Sequence, residues 1–146
     1  MSKQLRSDDV VVADAGSAMF VTSQGLRFGE NNKVILSHAQ AEMGFTIPAC
    51  VGVACAKGSD VIGITGDGSF QMNVQELQTI KQYKLPIKLF VWNNNGYQSI
   101  KHTHKNFFGK ITGADPDSGM TLPDISKIAY AYGLDYIEAH CSTILP

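Results

Sequence analysis

Apolar residues in this chain fall into short runs separated by polar, glycine-rich turns. Val10-Val11-Val12-Ala13 is too short for a helix and reads as a strand. The turn Asp14-Ala15-Gly16-Ser17 follows, with Ser17 placed to cap a helix over about residues 18–24. After a polar loop at 25–32, Lys33 to Ser37 reads as a second strand. From Met43 to Lys57 the small residues Gly44, Ala49, Gly52, Ala54 and Ala56 suit a tightly packed buried helix, with Pro48 in its first turns, where proline is tolerated. Val61-Ile62-Gly63-Ile64-Thr65 is a buried third strand. Phe70, Val74, Leu77 and Ile80 then recur at three-to-four spacing, one apolar face of a single helix. Ile87 to Trp92, entered through Pro86, is a fourth strand. Tyr97-Gln98-Ser99-Ile100 opens a helix, 105–121 is a long irregular loop, Leu122 to Tyr132 is helical with Gly133 as its stop, and Leu134 to Ile137 reads as a fifth strand.

Strands alternating with helices predict an α/β fold: three α/β/α layers around a mostly parallel sheet. Residues 61–97 form its central βαβ element. Parallel neighbours carry their C-terminal ends side by side, roughly 5 Å apart. Asp67, just past the third strand, and Asn94, just past the fourth, therefore meet at the sheet edge where open α/β sheets bind ligands. Gly68 allows close backbone approach, and a helix starting near Ser69 offers free N–H groups to an anion. A carboxylate, an amide oxygen and a helix start suit a magnesium ion bridging to a diphosphate.

Gly66-Asp67-Gly68, an amphipathic helix, a Leu-Pro strand and Asn93-Asn94 stand in the order and spacing of a family signature. On these residues the chain resembles the thiamine-diphosphate enzymes. The likeness covers nearly the whole chain and points to the C-terminal, diphosphate-binding domain of acetolactate-synthase-like proteins. The resemblance implies thiamine diphosphate and magnesium as cofactors. Metal ligands would be Asp67, Asn94 and the Gly96 carbonyl, and the cofactor's phosphates would meet Gly16, Ser17 and Ala18 as well as Gly66, Gly68, Ser69, Tyr97, Gln98 and Ser99. Read alone, Gly16 and Ser17 are a turn and a helix cap, and it is the resemblance that makes them phosphate contacts. Met43-Gly44-Phe45 with Pro48-Ala49 matches the family segment whose methionine wedges the cofactor into a bent form. The Ala41 carbonyl and the Met43 N–H would then hold the pyrimidine edge. The acidic lead-in at Glu42 departs from the family's glycine-rich pattern.

The dinucleotide fingerprint is absent, since its third glycine would fall at Gln71, and there is no Gly-Lys-Ser/Thr phosphate loop. Charge is near balance, 12 basic against 13 acidic residues and a formal net −1, which gives no support to nucleic-acid or anionic-membrane binding. No apolar run reaches transmembrane length, and Met1-Ser2-Lys3-Gln4 lacks a signal-peptide apolar region, so a cytoplasmic location is expected. Cys50, Cys55 and Cys141 form no metal pair or disulfide framework and read as buried reduced thiols. His102 and His104 lack a third ligand nearby and read as surface histidines. Glu76 reads as structural.

At 146 residues the chain is one domain by length. The resembled domains continue with a further helix and sixth strand, so a C-terminally truncated domain is expected. They also take the glutamate that activates the cofactor from a separate pyrimidine-binding domain, so no catalytic residue is expected here. The expectation is one half of a 2-oxoacid decarboxylase or carboligase, working in a homo- or hetero-oligomer. Two alternatives are a small subunit of a split sulfopyruvate- or phosphonopyruvate-type decarboxylase and a non-catalytic interaction module.

Overall fold

The structure, a computed structural model, describes residues 1–140. Cys141 and the closing segment 141–146 lie outside the described residues. Four strands form one sheet: β1 (Val10–Ala13), β2 (Lys33–Leu36), β3 (Val61–Gly66) and β4 (Ile87–Trp92). Their order is β2-β1-β3-β4 and every pairing is parallel. The central pair β1 and β3 is held in the register Val10 to Val61 through Ala13 to Ile64. All four residues of β1 are buried, as a strand covered on both faces must be.

Helices α1 (Gly16–Gly25), α2 (Thr46–Lys57), α3 (Asp67–Met72), α4 (Glu76–Tyr83), α5 (Gln98–Thr103) and α6 (Ile125–Ala131) flank the sheet, with a π-helical turn at His104–Phe108, overlapping the stretch expected to be irregular, and 3-10 turns at Ser2–Gln4 and Pro116–Ser118. Strand alternation sorts the side chains into two faces. Val10, Val12, Val61, Ile87, Leu89 and Val91 pack with α2, α4 and α6, where Ile47, Cys50, Leu77 and Ile80 are buried. Val11, Ala13, Ile62, Ile64 and Trp92 pack with Ala18 of α1 and with Leu26 and Phe28 beyond it. The result is three layers, α/β/α. Gly63 shows why α2 needs small residues beneath it. A Cβ there would stand 2.8 Å from Cys50 Sγ and 2.6 Å from Leu89 Cδ2, closer than side-chain carbons can pack.

Several elements differ from the sequence reading. The helix expected from Met43 begins at Thr46, because Met43-Gly44 is a turn: Gly44 has φ +87°, its N–H donates to Ser69 Oγ (2.6 Å) and its carbonyl accepts from Asn73 Nδ2 (2.8 Å). That use of the Asn73 side chain also divides the helix expected through Phe70 and Ile80. Asn73 leaves helical geometry (φ −132°), and α3 and α4 form on either side of it. Ser17 does not cap α1, which starts at Gly16 with Ala15 as its N-cap residue and no side-chain cap. The helix expected from Leu122 opens at Ile125, capped by Asp124, whose carboxylate accepts from Ser126 N–H at 2.9 Å. The fifth strand does not form. The Leu134 N–H donates to Ala129 O at the end of α6, and Asp135, Tyr136, Ile137 and Glu138 are all exposed, so nothing enforces strand alternation. Residues 134–140 stand off from β4 across a groove of about 400 Å³. Among the described residues no helix is long and apolar enough to cross a membrane.

Candidate functional site

The chain turns from β1 to β2 on one side of the sheet and reaches β3 on the other. The crevice between β1 and β3 is therefore the topological switch point, where the loops after the strands diverge and leave room for a ligand. A cavity of about 160 Å³ opens there, at the C-terminal ends of β1, β3 and β4. Its walls include Gly16, Ser17 and Ala18 after β1, Met43 before α2, Gly66 at the end of β3 with Asp67, Gly68 and Ser69 after it, and Asn94, Gly96, Tyr97, Gln98 and Ser99 after β4. Of the cofactor- and metal-binding candidates named from the sequence, only Ala41 is absent from the lining. It is half-buried at φ +52°, with its N–H on Ser37 O. Ala15, Trp92 and Ile100 also line the cavity and were not foreseen.

Asp67 is the pivot. It is 4% exposed, and its carboxylate accepts three backbone N–H groups: Gly68 on Oδ1 (2.8 Å), Asn94 (3.0 Å) and Gly96 (3.1 Å) on Oδ2. These bonds tie the Asn94–Gly96 turn to α3. A carboxylate has about four acceptor positions, so Asp67 keeps room for one more partner. Among the described residues no cation pairs with it. A buried anion without a cation is costly unless something of opposite charge joins it.

A second buried carboxylate, Asp14, escaped the sequence reading, which took it for a turn residue. Asp14 is fully buried. Its Oδ1 accepts from Ala15 N–H (2.8 Å), and its Oδ2 from Thr65 Oγ1 (3.0 Å), Ser69 Oγ (2.5 Å) and Thr46 N–H (3.4 Å). One side chain thus joins the first turn, β3, α3 and α2. Ser69 continues the chain of bonds by accepting from Gly44 N–H, which fixes the Met43 turn against the cavity. The available signal was position alone: a carboxylate directly after a fully apolar strand has no water to meet. Its charge also acts on Cys50, whose thiol is pushed up to about 12, mainly by burial and secondarily by Asp14.

Glycine is required at two of these positions. A Cβ on Gly68 would overlap the Tyr97 ring, and one on Gly96 (φ +145°) would overlap the Ala114 carbonyl oxygen. A Cβ on Gly66 would meet no atom within 4 Å, so the backbone there borders open space. Helices α1, α3 and α5 all start on the cavity wall and none has a side-chain cap. The first N–H groups of α1 and α5, and the spare acceptor position on Asp67, are complementary to a polyanion held through a cation.

His102 and His104 do not join this site. His102 is exposed, while His104 accepts from Thr112 N–H (3.4 Å) and meets Phe108 edge-on at 5.9 Å. Among the described residues no three His, Cys, Asp or Glu side chains converge as a metal group. Glu42 is exposed, and Glu76 accepts from Thr79 Oγ1 (3.0 Å); neither lines the cavity.

Residues 14–144 match the family described as "Thiamine pyrophosphate enzyme, C-terminal TPP binding domain". The chain belongs to this family. Thiamine diphosphate is the cofactor of such domains. Among its relatives are the acetolactate synthase isozyme 2 large subunit of Escherichia coli, 33% identical over 157 aligned positions, and the acetolactate synthase large subunit of Porphyra purpurea, 35% identical over 136. These alignments cover 99% and 91% of this chain but only 28% and 22% of the relatives. The large subunit from Pyropia yezoensis is 42% identical over 95 positions, 63% of this chain and 16% of that protein. The chain thus matches less than a third of the length of these relatives.

Proposed function

We propose that this domain holds thiamine diphosphate through a magnesium ion and is the diphosphate-binding half of an acetolactate-synthase-like 2-oxoacid carboligase or decarboxylase. The observation that carries the reading is the convergence of three strand ends and three uncapped helix starts on one cavity around the carboxylate of Asp67, which has no cation partner among the described residues. Asp67 and Asn94 side-chain oxygens and the Gly96 carbonyl are hard donors of the kind magnesium selects, with phosphate oxygens and water filling the remaining positions. The N–H groups at Gly16, Ser17, Gln98 and Ser99 bind the phosphates, Met43 supports the rings, and Ala41 contributes its carbonyl from outside the cavity wall. When bound, thiamine diphosphate would supply a carbon nucleophile and an electron sink for 2-oxoacid chemistry.

The chain's own part is to bind, orient and exclude water. A cavity of about 160 Å³ is below the roughly 300 Å³ at which ligand pockets usually begin, so further walls belong to the reading. A pyrimidine-binding domain would supply them, together with the activating glutamate that neither Glu42 nor Glu76 is placed to replace. Association with that domain, as a homo- or hetero-oligomer, follows from the same need. Cys50 and Cys55 are both free thiols, Cys50 buried but Cys55 exposed on α2 rather than buried as expected, and free thiols suit a cytoplasmic, reducing compartment.

Calorimetry tests the binding. Thiamine diphosphate should bind with magnesium present and lose that affinity in excess chelator; binding unaffected by the chelator would refute the metal bridge. The chain alone, with cofactor and magnesium, should release no carbon dioxide from pyruvate above the free-cofactor rate. Turnover at the roughly 1–10³ per second of whole enzymes would refute the need for a second domain.

A further inference from the structure

The Asn94–Gly96 turn, which carries two of the proposed metal ligands, is gripped on two sides. Asp67 Oδ2 binds its N–H groups from one side. On the other, the Ala114 carbonyl accepts the Tyr97 N–H at 2.8 Å and sits so close to Gly96 that only glycine fits. Ala114 is itself 1% exposed, although it lies in the long irregular segment after α5.

What holds Ala114 in place is a compact knot. The Ser118 hydroxyl accepts the N–H groups of Ala114 and Asp115, both at 2.9 Å, and donates to Asp115 Oδ1 at 2.6 Å. Asp115 Oδ1 also accepts the Ser118 N–H (3.0 Å), which closes a capping box over residues 116–118. Gly113 N–H reaches Ser118 O (2.8 Å) and Met120 N–H reaches Asp115 O (3.0 Å). The knot is therefore rigid by itself, but these internal bonds do not locate it on the rest of the protein. Asp115 Oδ2 does, through an ion pair with Lys101 Nζ on α5, one turn beyond the cavity residues Gln98 and Ser99. Asp115 is 7% exposed, so the pair is shielded on the carboxylate side. Consistent with this contact, the Lys101 hydrogen bond holds the Asp115 carboxyl below the usual carboxylate range, and Asp115 raises Lys101.

We propose that the Lys101–Asp115 ion pair is a latch: it seats the 113–120 knot on α5 so that the Ala114 carbonyl fixes the metal-binding turn from behind. Lys101 does not line the cavity. It is a positioning residue, acting through Asp115, Ala114 and Tyr97 in turn. The latch rests on the reading of the cavity as the magnesium–diphosphate site.

Lys101→Met tests it, since this change cuts the link while leaving the bonds inside the knot. Two readouts are needed in the whole chain: calorimetric affinity for magnesium with thiamine diphosphate, and hydrogen exchange of the Tyr97 amide without ligand. Lys101→Met should weaken cofactor binding about two- to fivefold, as expected for one partly exposed ion pair, and speed Tyr97 exchange by a similar factor. Lys101→Arg should restore both. Unchanged Tyr97 exchange in Lys101→Met overturns the latch, even if affinity falls, because Lys101 would then be acting on the anionic ligand directly. Unchanged affinity beside faster exchange overturns it as well. A parent chain that binds no cofactor would instead refute the assigned ligand, and Tyr97 exchange alone would still decide whether Lys101 seats the knot.

Discussion

Replacing Asp14 by asparagine probes the buried hub of the site with almost no change in volume. The side chain accepts four hydrogen bonds and is wholly removed from water. Asparagine can keep its oxygen toward Ala15 N–H only by turning its NH₂ toward Thr46 N–H, Thr65 Oγ1 and Ser69 Oγ. The two hydroxyls can rotate from donating to accepting, but each exchanges a bond to a charge for a neutral one, a loss of about 1 kcal/mol. Thr46 N–H cannot rotate and is left facing another donor. Because its bond is already long at 3.4 Å, that adds about 1 kcal/mol or less. The sum is about 2–3 kcal/mol for Asp14→Asn. Asp14→Ala removes every acceptor at once and should cost about 4 kcal/mol. Urea unfolding followed by circular dichroism reads these values. With a slope of about 2 kcal/mol per molar, midpoints should fall by about 1 M and about 2 M. An Asp14→Asn variant within about 0.5 kcal/mol of the parent would refute the hub. Ser69 gives the functional corollary: it links Asp14 to the Gly44 N–H, so Asp14→Asn should also weaken cofactor binding.

Asp67→Ala should abolish metal-dependent cofactor binding in calorimetry. It should also lower the urea midpoint, because three backbone N–H groups lose their acceptor. Gly96→Ala places a Cβ against the Ala114 oxygen at φ +145° and should cost about 3 kcal/mol, seen as a melting temperature lowered by about 10 °C. Alkaline pH should destabilise the fold through Cys50. Its unfolded thiol loses a proton near 9.0 while the folded one keeps it to about 12, so stability is intact below pH 9 and falls as pH rises through that window. The parent should lose more stability than Cys50→Ala between pH 9 and 11. In native protein at pH 8 iodoacetamide should label exposed Cys55 and spare Cys50.

The strands and the turns after them were legible because each signal is local. Val10–Ala13, Val61–Thr65 and Ile87–Trp92 are mostly apolar runs bounded by glycine, aspartate, asparagine or proline, and a parallel sheet must gather their ends. Contacts between side chains distant in the sequence were not legible. Asn73 breaks a helix whose apolar spacing is otherwise continuous, because its amide finds a carbonyl 29 residues away. Asp14 looked like a turn residue because its partners Thr46, Thr65 and Ser69 come from three later elements. The expected strand at Leu134–Ile137 had the right residue types, but its first N–H is taken by the end of α6 and its side chains gain no burial there. The Lys101–Asp115 pair joins a helix to an irregular segment whose order comes from Ser118, and no spacing rule anticipates that.

The order β2-β1-β3-β4 has a consequence for how the protein is made. Parallel strands cannot pair through a hairpin, and the two central strands join Val10 to a partner 51 residues later, at Val61. A chain emerging from the ribosome can complete neither that pairing nor the cavity until β3 is out. Asp67 then stays without its Asn94 and Gly96 donors until some 30 further residues follow. Each wall of the cavity belongs to a different crossover, so no early fragment holds even a weakened version of the site. Such long-range closure makes for slow folding and a long interval in which apolar segments such as Val10–Ala13 lie open to aggregation. The cofactor can stabilise only the finished sheet, and its supply during synthesis should affect how much protein persists rather than how quickly it folds.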